Sequence, residues 1–182
     1  MKDKNIVIGI TGGIAAYKGI DVINKLVKEG ANVNVIMTKN ATNFVTPLTI
    51  QTIAKSKVNI DMFEMVDNYD VEHISIASKA DLFLIVPATA NIIGKVANGI
   101  ADDMLSTTIM ATKAKVAFAA AMNNNMYDNA IVQMNIKKLK VYGYDFIDPQ
   151  YGNLACGTEG LGKLASVDTI LEYVKAYFKE VK

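Results

Sequence analysis

The hydrophobic positions of this chain fall into short unbroken runs separated by stretches of helical period, and that alternation predicts the architecture. "NIVIGI" (5–10) is apolar and β-branched and closes on Thr11, Gly12 and Gly13, which reads as a buried strand entering a tight turn. Ala16, Ile20, Ile23 and Val27 then recur at spacings of four and three, predicting a helix that Gly30 ends before a second strand, "NVNVIM" (32–37). The rhythm continues with a helix over about 47–55 that has Pro47 in its first turn, a short strand "VNIDMF" (58–63) and a short helix near "ISIASKA". Strands "DLFLIVPA" (81–88), "VAFAAA" (116–121) and "YDFI" (144–147) follow, with helical stretches between them. Strands without polar alternation belong in a parallel sheet covered on both sides. The pattern therefore predicts one α/β domain over residues 1–182, a three-layer, doubly wound parallel sheet.

Composition narrows the function by exclusion. A chain of 182 residues is long enough for one sizeable core, and neither an internal repeat nor a Pro/Gly/Ser linker marks a boundary. Nineteen basic residues against 18 acidic ones leave a net charge of +1, which provides no electrostatic footprint for nucleic acid or an anionic membrane. No apolar stretch reaches the roughly 20 residues that span a bilayer. Glycines interrupt the N-terminal apolar run before it could serve as a signal sequence, and a single cysteine cannot form an internal disulfide, so a cytoplasmic protein is expected. One histidine and one cysteine cannot supply four zinc ligands, so no metal centre is expected.

Open parallel sheets bind ligands beyond the carboxyl ends of their strands, which directs attention to the loops there. "TGGIAAYK" lacks the third glycine of a dinucleotide fingerprint and has no triphosphate-binding lysine motif. It is either a plain strand-to-helix turn or a seat for one phosphate, with Gly12 and Gly13 allowing close approach and Thr11 offering a hydroxyl. "VPATANIIGK" places Pro87, Thr89 and Asn91 after the most hydrophobic strand, a second platform of small donors. In "NGIADDMLSTT", Asp102, Asp103, Ser106 and Thr107 are either ligand contacts or helix caps. "AAMNNNMY" sets Met122, Asn123, Asn124, Asn125 and Met126 at the end of a buried strand, a row of amides that is either a turn or a ligand site. His73, after the acidic, loop-like "EMVDNYDVE", is a surface residue or a catalyst. Cys156 lies in "YGNLACGTEGLGKL", read as a mobile glycine-rich loop, a setting that favours chemistry over burial. Met62, Met65, Met104, Met110 and Met134 read as core or surface filler.

Taken in order, these loops resemble the homo-oligomeric flavin-containing cysteine decarboxylases over nearly the whole chain, from "GITGGIAAYK" to "GKLAS". The resemblance is carried by the glycine turn, by "HI" at His73 and Ile74, by "PATAN" at 87–91, like the family's Pro-Ala-Ser-Ala-Asn-Thr, and by "AAMNNNMY", like its Pro-x-Met-Asn-x-x-Met-Trp. Departures are Ala120 for proline, Tyr127 for tryptophan, Thr89 for serine and Ile92 for threonine; Lys163 falls where an arginine is common and cannot form a bidentate contact. The resemblance implies a Rossmann-like, flavodoxin-like flavoprotein. FMN would lie against Gly12, Gly13, Ile14, Ala15, Thr38, Pro87, Ala88, Thr89, Asn91, Ser106 and Thr107. The substrate, 4'-phosphopantothenoylcysteine, would meet Met122, Asn123, Met126, Ala155 and Lys163. A trimer or a multiple of trimers is implied, each site completed by a neighbouring subunit.

Losing CO2 directly from an acylated cysteine leaves a carbanion with nowhere to delocalise, so a cofactor must supply the electron sink. The resemblance implies oxidation of the cysteine side chain to a thioaldehyde by FMN, loss of CO2 to give an enethiolate, and return of hydride with a proton to give 4'-phosphopantetheine in coenzyme A biosynthesis. It implies His73 as the base near the reacting thiol, Asn123 on the carboxylate and Cys156 as the final proton donor. Relatives that make peptide enethiols stop before the last reduction and lack the cysteine, so Cys156 favours the coenzyme A branch over a peptidyl-cysteine decarboxylase. Flavin prenyltransferases share the fold but not this combination, and a non-catalytic FMN-binding regulator of phosphatases can keep the histidine while losing the asparagine. A separate synthetase is expected to make the substrate.

Overall fold

A computed structural model describes residues 1–64 and 71–180. The chain runs β1 (Asn5–Ile10), α1 (Ala16–Lys28), β2 (Asn32–Met37), a 3₁₀ turn (Lys39–Asn43), α2 (Pro47–Ala54), β3 (Val58–Asn59), α3 (Glu72–Lys79), β4 (Leu82–Ala88) and α4 (Ala90–Ala97). It continues with α5 (Met104–Ala111), β5 (Lys115–Ala120), α6 (Asn124–Tyr127), α7 (Ala130–Val141), β6 (Asp145–Ile147), β7 (Gln150–Asn153), β8 (Glu159–Lys163) and α8 (Val167–Glu180). Strands β1 to β6 form one parallel sheet in the order β3-β2-β1-β4-β5-β6, the doubly wound arrangement expected.

The period-two geometry of a strand explains the continuous apolar runs. Ile6, Ile8 and Ile10 of β1 and Leu82, Leu84 and Val86 of β4 face one core, shared with α1, α2 and α8. Val7, Phe83, Ile85, Val116 and Phe118 face the other, under α3, α4, α5 and α7. Both faces are dry, so every position along the strand is apolar, and each fully buried large side chain contributes roughly 1.5–3 kcal/mol. Helix α1 ends as expected, with Gly30 at φ +86 and its N–H bonded to Val27 O at 3.0 Å.

Three segments depart from the sequence reading. The strand expected over 58–63 pairs with β2 only through Val58 and Asn59, because Asp61 turns the chain by accepting a bond from the N–H of Phe63 at 3.0 Å. The stretch expected to be a mobile loop is an antiparallel hairpin, β7–β8. Its turn is closed by Leu154 N–H to Thr158 O at 2.8 Å and Gly157 N–H to Leu154 O at 2.9 Å. The chain also carries α8, capped by Ser166 Oγ on the N–H of Thr169 and burying Ile170, Leu171 and Val174. Met104 is core, Met62 is partly buried against it, and Met110 and Met134 are exposed. Residues 65–70 of the acidic stretch, Met65 among them, lie outside the described residues. No helix among the described residues is long and apolar enough to cross a membrane.

Candidate active site

The sheet reverses its winding between β1 and β4, and beyond the carboxyl ends of these strands and β5 lies a cleft of about 790 Å³. Both its position and its size are those of a small-molecule or cofactor site.

The floor is built from the ends of β1 and β4. Thr11 is buried there, and its Oγ1 donates to Pro87 O at 2.7 Å while accepting from the N–H of Thr89 at 3.2 Å. This hydroxyl is therefore committed within the protein and does not serve a phosphate. A candidate anion seat lies one residue on: the N–H groups of Gly12, Ile14 and Ala15 have no partner among the described residues, and all three residues line the cleft. Gly12 is required by contact, since a Cβ there would lie 2.5 Å from the Cβ of Asn40. No carboxylate lines the cleft among the described residues, whereas Lys18 and Lys163 do, neither in an ion pair. Ile14, Tyr17 and Met126 leave large apolar surfaces exposed at its rim. Unpaired N–H groups, unopposed cations and an apolar rim suit an anionic ligand with a flat apolar body.

The opposite wall is the row of amides. Asn123 caps α6, its Oδ1 accepting from the N–H of Asn125 at 2.9 Å. Because the oxygen is committed to the turn, the NH2 group is left for the cleft, 3.3 Å from Cys156 Sγ. The turn thus decides which atom of Asn123 faces the cleft. Asn124 bonds Asn125 Oδ1 at 3.3 Å.

The hairpin brings Cys156 into position by packing β8 against the loop after β5. Met122 N–H bonds Gly162 O at 2.9 Å, and a Cβ on Gly162, at φ +150, would lie 2.2 Å from Met122 O. Gly162→Ala is expected to lift the hairpin, because the left-handed backbone alone costs about 1–2 kcal/mol. Amide exchange at Met122 should quicken roughly tenfold or more while β1 and β4 stay protected. Cys156 is exposed, and its thiol is pushed below its ordinary range to about 7 by the Thr158 hydroxyl first, then the Thr158 backbone N–H and the Asn123 amide.

The sequence-predicted residues divide clearly. Gly12, Gly13, Ile14, Ala15, Pro87, Thr89, Asn91, Met122, Asn123, Met126, Ala155, Cys156 and Lys163 all line the cleft. Ala88 does not, being fully buried in β4. Thr38 caps the 3₁₀ turn through the N–H of Ala41 and so presents Asn40 instead. Ser106 is buried in a capping box with Asp103, its hydroxyl accepting from the N–H groups of Asp102 and Asp103. Burial of Asp103 opposes its charge, yet Lys95 at 2.6 Å and the Ser106 bonds hold its carboxyl below the usual range. Thr107 bonds Ala101 O at 3.3 Å. Thr38 and Ser106 are thus engaged in caps, and Thr107 in a bond to a loop carbonyl. His73, half-buried on α3 in the other helix layer, does not line the cleft of its own chain. Asn40, Tyr17 and Lys18 were not anticipated; Tyr17 and Lys18 sit inside the quoted glycine-turn motif, and Asn40 follows a strand end.

Known proteins share this fold. The coenzyme A biosynthesis bifunctional protein CoaBC of Borreliella burgdorferi is 51% identical over 179 residues, 98% of this chain and 46% of that protein. A probable phosphopantothenoylcysteine decarboxylase of Streptococcus mutans is 42% identical over 174 residues, covering 94% of this chain and 97% of its own length. The chain thus spans just under half the length of the bifunctional relatives it matches. Among solved structures, a cysteine-to-serine mutant of PPC decarboxylase complexed with pantothenoylaminoethenethiol superposes with a TM-score of 0.88 at 26% identity, covering 98% of this chain and 100% of that one. The family model described as Flavoprotein matches residues 1–179, and the chain belongs to that family.

Proposed function

We propose that the protein is an FMN-dependent decarboxylase that converts 4'-phosphopantothenoylcysteine to 4'-phosphopantetheine in coenzyme A biosynthesis, acting in the cytoplasm as a homo-oligomer built from trimers. The observation that carries this reading is the pairing of the Asn123 amide with the Cys156 thiol at 3.3 Å across a cleft from an unpaired backbone anion seat. One glycine turn offers a place for one phosphate, which suits a mononucleotide flavin and not a dinucleotide.

When bound, the flavin supplies a two-electron couple to the sulfur-bearing carbon, oxidising before CO2 leaves and reducing afterwards. The N–H groups of Gly12, Ile14 and Ala15 would hold its phosphate, with Ile14, Tyr17 and Pro87 beside its apolar body. Asn123 donates through its NH2 group to the substrate carboxylate. A neutral amide orients that group without the ionic hold that would resist loss of its charge. Lys163 places a cation on the hairpin for the substrate's anionic end.

Cys156 acts at the last step. Its S–H bond breaks as a C–H bond forms on the enethiolate carbon, and the thiolate left behind is held by Thr158 and Asn123 until water returns a proton. With the thiol at about 7, the acid form is present below that pH and lost above it, so the ratio of thiol to enethiol product should fall as pH rises through 7. The direct test is Cys156→Ser, expected to release CO2 while accumulating enethiol; thiol product at the wild-type level from this variant would refute the reading.

His73 is assigned to the cleft of a neighbouring subunit. It lies outside its own cleft and is flanked by the exposed apolar side chains of Val71 and Ile74, 56% and 50% accessible, a surface suited to contact with another copy. Presence of Cys156 favours this function over peptidyl-cysteine decarboxylation, and Asn123 favours it over a non-catalytic FMN-binding regulator.

A further inference from the structure

Cys156 projects from an exposed turn, where a side chain with nothing around it samples several rotamers. Its sulfur is nevertheless held 3.3 Å from Asn123 Nδ2. The restraint comes from Thr158, whose Oγ1 lies 3.1 Å from Cys156 Sγ and 3.4 Å from Asn124 Oδ1. One hydroxyl thus bridges the tip of the hairpin and the start of α6.

A hydroxyl has one proton to donate, so its two neighbours compete for it. While Cys156 is protonated, its S–H donates to Thr158 Oγ1, and the Thr158 O–H donates to Asn124 Oδ1. Once the sulfur is ionised, the O–H turns to it, because a bond to a charged acceptor is about twice as strong as one to an amide oxygen. Asn124 is partly exposed and exchanges the lost bond for water.

We infer that Thr158 is a positioning residue for the proton-transfer step, fixing the Cys156 sulfur beside Asn123 and swinging its hydroxyl from Asn124 to the sulfur when Cys156 gives up its proton. No covalent bond of Thr158 breaks in this cycle; the proton delivered to product is that of Cys156, and water replaces it. The role in turnover rests on the decarboxylase reading. The largest influence lowering the Cys156 thiol to about 7 is the same hydroxyl. The other titratable groups nearby are Tyr17, Lys18 and Lys163 in the cleft, Tyr151 on β7 and Glu159 on β8, and none of them is a cause of that lowering.

Because the chain contains a single cysteine, alkylation of the flavin-loaded protein by iodoacetamide reports Cys156 alone. In the wild type, rate against pH should turn over at about 7. In T158V the midpoint should rise by about one pH unit, a tenfold change in the acid constant, whereas T158S should stay within a few tenths. An unmoved midpoint in T158V, or an equal rise in T158S, overturns the assignment. With 4'-phosphopantothenoylcysteine, T158V should raise the enethiol share of product several-fold at neutral pH; a wild-type product ratio overturns the role in turnover. If the wild type released no CO2, the decarboxylase reading would fall, and the titration would still decide whether Thr158 holds the thiol.

Discussion

Replacing His73 by asparagine is expected to abolish decarboxylation, by a factor of roughly 10²–10⁴, the range for loss of a positioned general base. The protein should remain folded and keep its flavin, because the N–H groups of Gly12, Ile14 and Ala15 that would hold its phosphate are left in place. Separation of His73 from the cleft of its own chain gives the experiment a second arm. If a neighbouring subunit supplies the base, inactive His73→Asn and inactive Asn123→Asp chains should complement each other when dissociated and reassembled together. In a randomly mixed trimer each cleft has an even chance of an intact Asn123 and an even chance of a neighbour with an intact His73, so activity should return to about one quarter of wild type. Mixtures that remain inactive would place both residues in one subunit and overturn the assignment.

The second large effect is expected from Asn123→Asp. Aspartate is isosteric and caps a helix as well as asparagine does, so the bond from the Asn125 N–H should persist, with the melting temperature shifted by at most a degree or two. Chemistry changes completely. The NH2 donor becomes a second carboxylate facing that of the substrate, and like charges set together in this way cost several kcal/mol. CO2 release should fall about 10³-fold, with weaker substrate binding, at unchanged flavin content. The new charge should also raise the midpoint of Cys156 alkylation, since ionising the thiol would place two anions side by side. A variant that retained turnover would show that the amide row serves only as a turn.

How far the sequence could be read depended on whether two physical roles share one residue pattern. Strands β1, β4 and β5 were legible because burial on both faces leaves no polar position in "IVIGI", "LFLIVPA" or "VAFAA". Helix α1 was legible from its spacing and from Gly30. The β7–β8 hairpin was not: Gly152, Gly160 and Gly162 occupy strand positions, and the buried positions of β8 are glycines, so its strands show neither hydrophobic alternation nor β propensity, and packing against Met122 and Asn124 supplies what the pattern lacks. Ser106 illustrates the same ambiguity in a site. In the sequence its hydroxyl could equally face a ligand or a backbone N–H, and the capping box with Asp103 becomes visible only in the fold. Asn123 was legible as an amide, but which of its atoms is offered depended on a bond two residues away. His73 lies outside the cleft of its own chain, so one chain by itself gives its proposed role no geometry.

The buried Thr11 hydroxyl, bonded at once to the carbonyl of Pro87 and the amide of Thr89, makes the two lips of the floor one mechanical piece. A cradle assembled in advance needs no reorganisation when its cofactor arrives. Flavin retention should therefore be indifferent to damage on the hairpin side.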